Sequence, residues 1–148
     1  PDSPATTSSE PTWSPRTVWT TPTSELRYSL SVSSFMRRDP RKYLWDARRA
    51  AELVMEFTAD ADRARYHDDL LLRSAVERQF EIIGEALHQL SRHDQELARL
   101  IPDLPRIVAF RNRLIHGYAV TDHDVVWNTV TTDLPALREQ LDELLTEG

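Results

Sequence analysis

The sequence predicts an all-α protein: an up-and-down bundle of about five helices behind a disordered N-terminal tail. Three observations predict it. Only three glycines occur in 148 residues, at 84, 117 and 148. Apolar residues from Leu72 to Leu90 recur every three or four positions, which is the spacing of one helical face. No alternation of apolar and polar residues, the mark of a half-buried strand, persists anywhere.

The chain divides by composition near residue 36. Ser and Thr fill 16 of the first 35 positions and Pro five more, while Trp13, Val18, Trp19 and Leu26 are too scattered to make an apolar face. Such a segment buries too little to offset the entropy of ordering, so residues 1–35 are expected to be disordered. Met36 stands where the composition changes, and we expect it to be the native start. Residues 36–148 form the expected domain.

Within that domain, Asp39-Pro40 opens the first helix, with Asp as N-cap and Pro at the first helical position. Tyr43, Ala47, Ala50, Val54 and Phe57 share one face. Asp68-Asp69 places negative charge at the positive end of a second helix. Its stripe of Leu72, Val76, Phe80, Ile83, Leu87 and Leu90 is suited to a bundle interior. The chain turns at Ile101–Pro105. A third helix then runs from about Pro105, with Ile107, Val108, Phe110, Leu114 and Ile115 apolar. Gly117 is expected to stop it in the left-handed conformation. Thr121–Asp124 resembles a capping box for a fourth helix through Val125, Val126, Thr129 and Val130. Asp133-Leu134-Pro135 starts or kinks a last helix carrying Leu134, Leu137, Leu141 and Leu144.

Composition narrows the function. The formal charge is −6, so no overall positive field drives nucleic-acid binding and any such contact needs a local patch. Cys is absent, which removes disulfides, thiolate metal sites and thiol catalysis. No apolar run approaches the roughly 20 residues of a membrane span. Phosphate-cradling Gly-rich loops are missing too.

One local patch stands out. No acidic residue occurs from Leu104 to Thr121, whereas Arg106, Arg111 and Arg113 are cationic and His116 and Tyr118 follow. Arg grips phosphate through two parallel N–H groups, and His exchanges a proton near neutral pH. Together they suit cleavage of an RNA phosphodiester without a metal, since the 2′-hydroxyl is itself the attacking group. Helical geometry sets a condition. Positions 111 and 116 lie about 140° apart around a helix axis, so sharing a site within one chain requires the helix to loosen near Ile115. The plainer alternative is a solvated basic helix end that complements the dipole.

The segment Arg-Asn-Arg-Leu-Ile-His-Gly-Tyr at 111–118 resembles the signature of HepT-like ribonuclease toxins of the HEPN superfamily. There an Arg precedes a His by four to six residues, commonly with a polar residue after the Arg. Arg111, Asn112 and His116 fit this pattern, and Tyr118 fits the Tyr that the HepT subgroup adds. The likeness extends to Asp39–Ala47, to Arg78–Leu87 and to Asp124–Trp127 through Asp133–Pro135, about 39 to 145 in all. It implies a homodimeric bundle with both Arg/His pairs along one interfacial cleft, acting as a metal-independent endoribonuclease. Arg111 and His116 would be catalytic, with Asn112 supporting. It implies a MntA-like nucleotidyltransferase antitoxin that uses ATP to place AMP on Tyr118. The toxin itself needs no cofactor, and a cytoplasmic setting with an RNA substrate is expected. The rival class is a non-catalytic RNA- or nucleotide-binding module partnered with the same nucleotidyltransferase.

Other residues carry weaker signals. Glu85 is expected either to pair along its own helix or to orient Arg111 or His116. Arg106 and Arg113 are candidates for RNA contact. Gly84, costly inside a helix, suggests close helix packing. His67, His88, His93 and His123 show no metal-ligand spacing. Asp122 and Asp124 read as helix caps, and Trp45 and Trp127 as packing or interface residues. Arg37, Arg38, Arg48 and Arg49 read as solvated helix, with an extended RNA surface as the alternative.

Overall fold

In the computed structural model of the chain, residues 39–117 and 121–147 are described. The expected tail, Met36, Arg37, Arg38 and Tyr118 lie outside them. Among the described residues no strand occurs, and the elements are helices throughout: α1 (Arg41–Thr58), α2 (Arg63–Asp68), α3 (Leu70–His93), α4 (Gln95–Arg99), α5 (Leu104–His116), α6 (His123–Asn128), a π-helical turn (Thr129–Asp133) and α7 (Leu134–Thr146).

The central helix is α3. It packs along α1 on one side and α5 on the other, and α7 lies against α1. All six positions of the expected stripe, Leu72, Val76, Phe80, Ile83, Leu87 and Leu90, are buried. Facing them on α1 are Leu44, Ala47, Ala51 and Val54. The alanines let the two backbones approach, while each fully buried Leu or Val contributes about 1.5–3 kcal/mol over the exposed state. Phe57 departs from the expected face: at the end of α1 it is exposed.

Carboxylates start the helices. Asp69 accepts the Leu72 N–H at 3.0 Å, and Asp39 accepts the Arg41 N–H at 3.0 Å although Pro40 already has helical dihedrals. Two short helices escaped the sequence reading, each capped likewise by Asp62 (Arg65 N–H, 2.8 Å) and Asp94 (Leu97 N–H, 3.0 Å). At the start of α6 the cap is Asp122, which accepts from both Asp124 and Val125, so the expected Thr121 box does not form.

Gly117 ends α5, but not in the left-handed region: its φ is −106°. Its small size explains the choice better, because a Cβ there would fall 2.6 Å from the Arg113 carbonyl. The π-helical turn precedes Pro135, which lacks an N–H and whose ring crowds the carbonyl four residues back. The wider turn also has a packing role. Val126, Val130 and Leu134 are spaced by fours, a step that drifts about 40° in an α-helix. The π turn takes that drift back, and all three residues are buried.

Candidate active site

Two neighbouring residues of α3 build the site. At Gly84 an added Cβ would overlap Arg111 Cβ and lie 2.7 Å from its Cγ. The bare backbone therefore seats the aliphatic stem of Arg111, which is the close packing that the glycine suggested. One residue on, Glu85 takes the other end of the same side chain: Arg111 Nη2 donates to Glu85 Oε2 at 2.6 Å. Gln89, a turn later, donates to Glu85 Oε1 at 2.7 Å and fixes the carboxylate from behind. Asn112 completes the set, accepting from Arg111 Nη1 at 2.8 Å. A guanidinium held on two edges is pre-oriented, and its side chain is 24% exposed, so it remains reachable.

Arg111 lines a groove of about 470 Å3 between α1 and α3, together with Trp45, Arg49, Arg78, Glu85 and Ile115. His116 does not. The helix continues without loosening through Ile115 to His116, so the two positions keep their angular separation. His116 is exposed and lines a second depression of about 500 Å3 with Asn112, Gly117, Asp122 and Val125. Within one chain Arg111 and His116 therefore face different depressions. Asn112 lines the depression of His116, one helical turn before it, and reaches the other side only through its hydrogen bond from Arg111.

The remaining candidates scatter. Arg106 pairs with Asp133 at 3.2 Å. Arg113 lies over the Phe110 ring of its own helix, 5.6 Å from the centroid. Arg78 and Glu81 form the exposed intrahelical pair expected of them, at 2.9 Å. Trp127 packs on Tyr66, whereas Trp45 is 55% exposed and meets no aromatic partner among the described residues.

A second charged cluster, hidden from sequence spacing, joins α2, α3 and α6. His67 bonds Asp124 at 2.7 Å, and Arg63 grips the same carboxylate through Nε at 2.9 Å and Nη2 at 2.6 Å. His123 sits 3.6 Å from Glu77, and the two imidazole rings are 5.9 Å apart. The Arg63 hydrogen bond holds the Asp124 carboxyl below the usual carboxylate range, despite some opposing desolvation. Burial pushes Glu77 up, against the pull of His123 and Arg73. Tyr66 lies beneath, fully buried; its hydroxyl has no hydrogen-bond partner among the described residues, and burial raises its pKa. Of the other histidines, His93 stacks on Tyr43 with centroids 5.6 Å apart.

Comparison with known proteins gives the family. The model of the "Ribonuclease HepT-like" family matches residues 47–144, from the middle of α1 almost to the end of α7. A "Probable ribonuclease HepT" of Thermococcus cleftensis is 35% identical over 111 residues, covering 74% of this chain and 98% of the relative. A "Putative RNase MJ1380" of Methanocaldococcus jannaschii is 33% identical over 108 residues, covering 72% of this chain and 96% of the relative. No solved structure matches the chain. The helical bundle, the Arg111–His116 segment and this span of similarity all lead to one assignment: the chain belongs to the HepT-like ribonuclease family.

Proposed function

We propose that this chain is the toxin of a type VII-like toxin–antitoxin pair, an endoribonuclease that cuts RNA without a metal ion. The observation that carries the reading is Arg111 held by Glu85 and Asn112 at an open groove, inside the family's Arg-to-His segment.

The chemistry follows from the residue types. The ribose 2′-oxygen attacks the adjacent phosphorus, an O2′–P bond forms and the P–O5′ bond breaks. The products are a 2′,3′-cyclic phosphate and a 5′-hydroxyl. One proton leaves the 2′-hydroxyl and one reaches the departing 5′-oxygen, and His116 serves one of these transfers. Arg111 donates to the non-bridging oxygens, where negative charge grows in the transition state. Because Arg111 and His116 face different depressions of one chain, we place the working site between two copies, with both pairs along one cleft. Arg106 and Arg113 would extend the contact to flanking phosphates.

Control rests on Tyr118, one residue beyond Gly117. We propose that a MntA-like nucleotidyltransferase directs the Tyr118 oxygen onto the α-phosphorus of ATP and releases pyrophosphate. The AMP left behind adds a negative phosphodiester beside Arg111 and His116 and repels the RNA backbone. The toxin uses no cofactor of its own and works in the cytoplasm.

The test is incubation of the purified protein with labelled RNA in excess chelator. Fragments ending in cyclic phosphate are expected. Intact RNA with shifted mobility would instead identify a binding module, the second reading, which the prior engagement of Arg111 by two partners favours. Co-expression with the nucleotidyltransferase, followed by intact mass, should add whole AMP units mapping to Tyr118. An unmodified Tyr118 would end the proposed control.

A further inference from the structure

Trp45 has no evident reason to be where it is. The buried face of α1 runs through Tyr43, Leu44, Ala47 and Ala51, and Trp45 lies off it, 55% exposed as a residue. Helix formation gains nothing from Trp over Leu or Lys at a solvated position. Its surroundings are informative. Trp45 forms a wall of the same groove that Arg111 lines, and on its other side it borders a depression where Arg41, Lys42 and Arg48 are balanced by Asp39, Asp46 and Asp142. Arg49, one turn further along α1, and Arg78, across on α3, flank the groove.

We propose that Trp45 is a stacking platform for an unpaired RNA base, placed next to the nucleotide whose phosphate Arg111 holds. This rests on the ribonuclease reading above and adds a substrate subsite to it. An aromatic face beside a cation is the common device for holding single-stranded RNA, because every base has a π-face. The groove volume of about 470 Å3 lies in the range of small-ligand clefts, enough for a nucleotide. Its cations are already paired, Arg78 with Glu81 at 2.9 Å and Arg49 with Glu52 and Glu56 at 3.6 and 3.5 Å. Exposed pairs of this kind contribute little, so a phosphate displaces them at small cost. The balance of charge in the groove makes the base, more than the backbone, the group recognised there.

The experiment uses the full chain carrying His116→Ala, so that RNA stays uncut, and fluorescence anisotropy with two short single-stranded RNAs. One has all its bases and the other has the same backbone with abasic riboses. With Trp45 present, the RNA with bases is expected to bind about ten-fold tighter than the abasic one, in the range of a base–aromatic stack. Trp45→Ala should remove that preference, and Trp45→Phe should restore most of it. If Trp45→Ala binds RNA with the preference intact, the subsite is wrong while the ribonuclease reading stands. If Trp45→Ala separates a dimer into monomers and keeps the preference, the ring belongs to an interface between copies and the proposal falls. If neither RNA binds even with Trp45 present, the RNA reading fails and takes the subsite with it.

Discussion

The Arg111 groove and the His67–His123 cluster draw on the same residue types and the same central helix, yet they are suited to different work. In the cluster the charged groups face one another, although His123 Nδ1 makes no hydrogen bond among the described residues. Asp124 is held by Arg63 and His67, His123 sits against Glu77, and a buried tyrosine closes the floor. In the groove one guanidinium is gripped along two edges and still borders open space. Histidines and carboxylates at hydrogen-bond distance are therefore a poor guide to chemistry on their own. On the proposed reading, what separates a site from a structural knot here is an oriented group with room in front of it.

Substitution should sharpen that contrast. The largest effect is expected at His116 and Arg111. His116→Ala should slow RNA cleavage by about 10²–10⁴, and Arg111→Ala by about 10²–10³. His116→Ala should leave thermal unfolding nearly unchanged, as followed by circular dichroism, whereas Arg111→Ala should lower it modestly, because the Arg111 stem packs on Gly84 and its head pairs with Glu85. His67→Ala and His123→Ala should do the reverse, lowering the melting temperature with cleavage kept. Loss of cleavage in the second pair and not the first would exchange the roles of the two regions.

Gly84→Ala comes next. Its methyl must push Arg111 off α3, a clash of about 1–3 kcal/mol, against which helix propensity returns about 1 kcal/mol. Denaturant unfolding should show a modest net loss, and the cleavage rate should fall much further than stability does. Equal rates for Gly84→Ala and the unaltered chain would mean that the position of Arg111 is unimportant.

Glu85→Gln should cost about ten-fold in rate, less than the about hundred-fold of a full ångström of misplacement, because the amide still accepts the Arg111 hydrogen bond. Full activity with unchanged stability would remove the orienting role of Glu85.

The smallest effects are pH-dependent, and they have opposite signs within the cluster. The Asp124 pKa is lowered by its Arg63 bond, so its stabilisation is present above the unfolded value of 3.8 and fades as pH falls through the lower folded value. Asp124→Asn should therefore lower the melting temperature at neutral pH and match the unaltered chain in strong acid. The Glu77 pKa is raised by burial, so ionising it costs stability as pH climbs above the unfolded value of 4.5. Glu77→Gln should thus gain stability at neutral pH relative to acid. Parallel melting curves from acid to neutral pH for both variants would show that the cluster is unstrained.

Much of the fold was legible because periodicity is a local signal. The α3 stripe from Leu72 to Leu90 is buried residue for residue, and Asp69 caps that helix. The helices α2 and α4 were missed because five or six residues are too few to show a period. Their caps, Asp62 and Asp94, were the available signal. The site was partly legible. Arg111, Asn112 and His116 are contiguous in sequence, and Gly84-Glu85 announced itself by a glycine inside a helix. Gln89 carried no such mark, and Trp45 reads from the sequence only as a packing or interface residue, since exposure and hydrogen-bond partners depend on which helix lies opposite. His67 and His123 meet only because α6 folds back over α2.

The π turn at Thr129–Asp133 has a consequence for how this bundle accepts changes of length. It is an insertion taken up inside a helix: one surplus residue widens a single loop of backbone, and the hydrophobic side downstream stays in phase. A chain lacking one residue of 129–133 and carrying Ala for Pro135 should run straight from α6 into α7 with Leu134 and Leu141 still turned inward. Length variation in this part of the molecule can be absorbed within a rod, where most proteins would have to confine it to a loop.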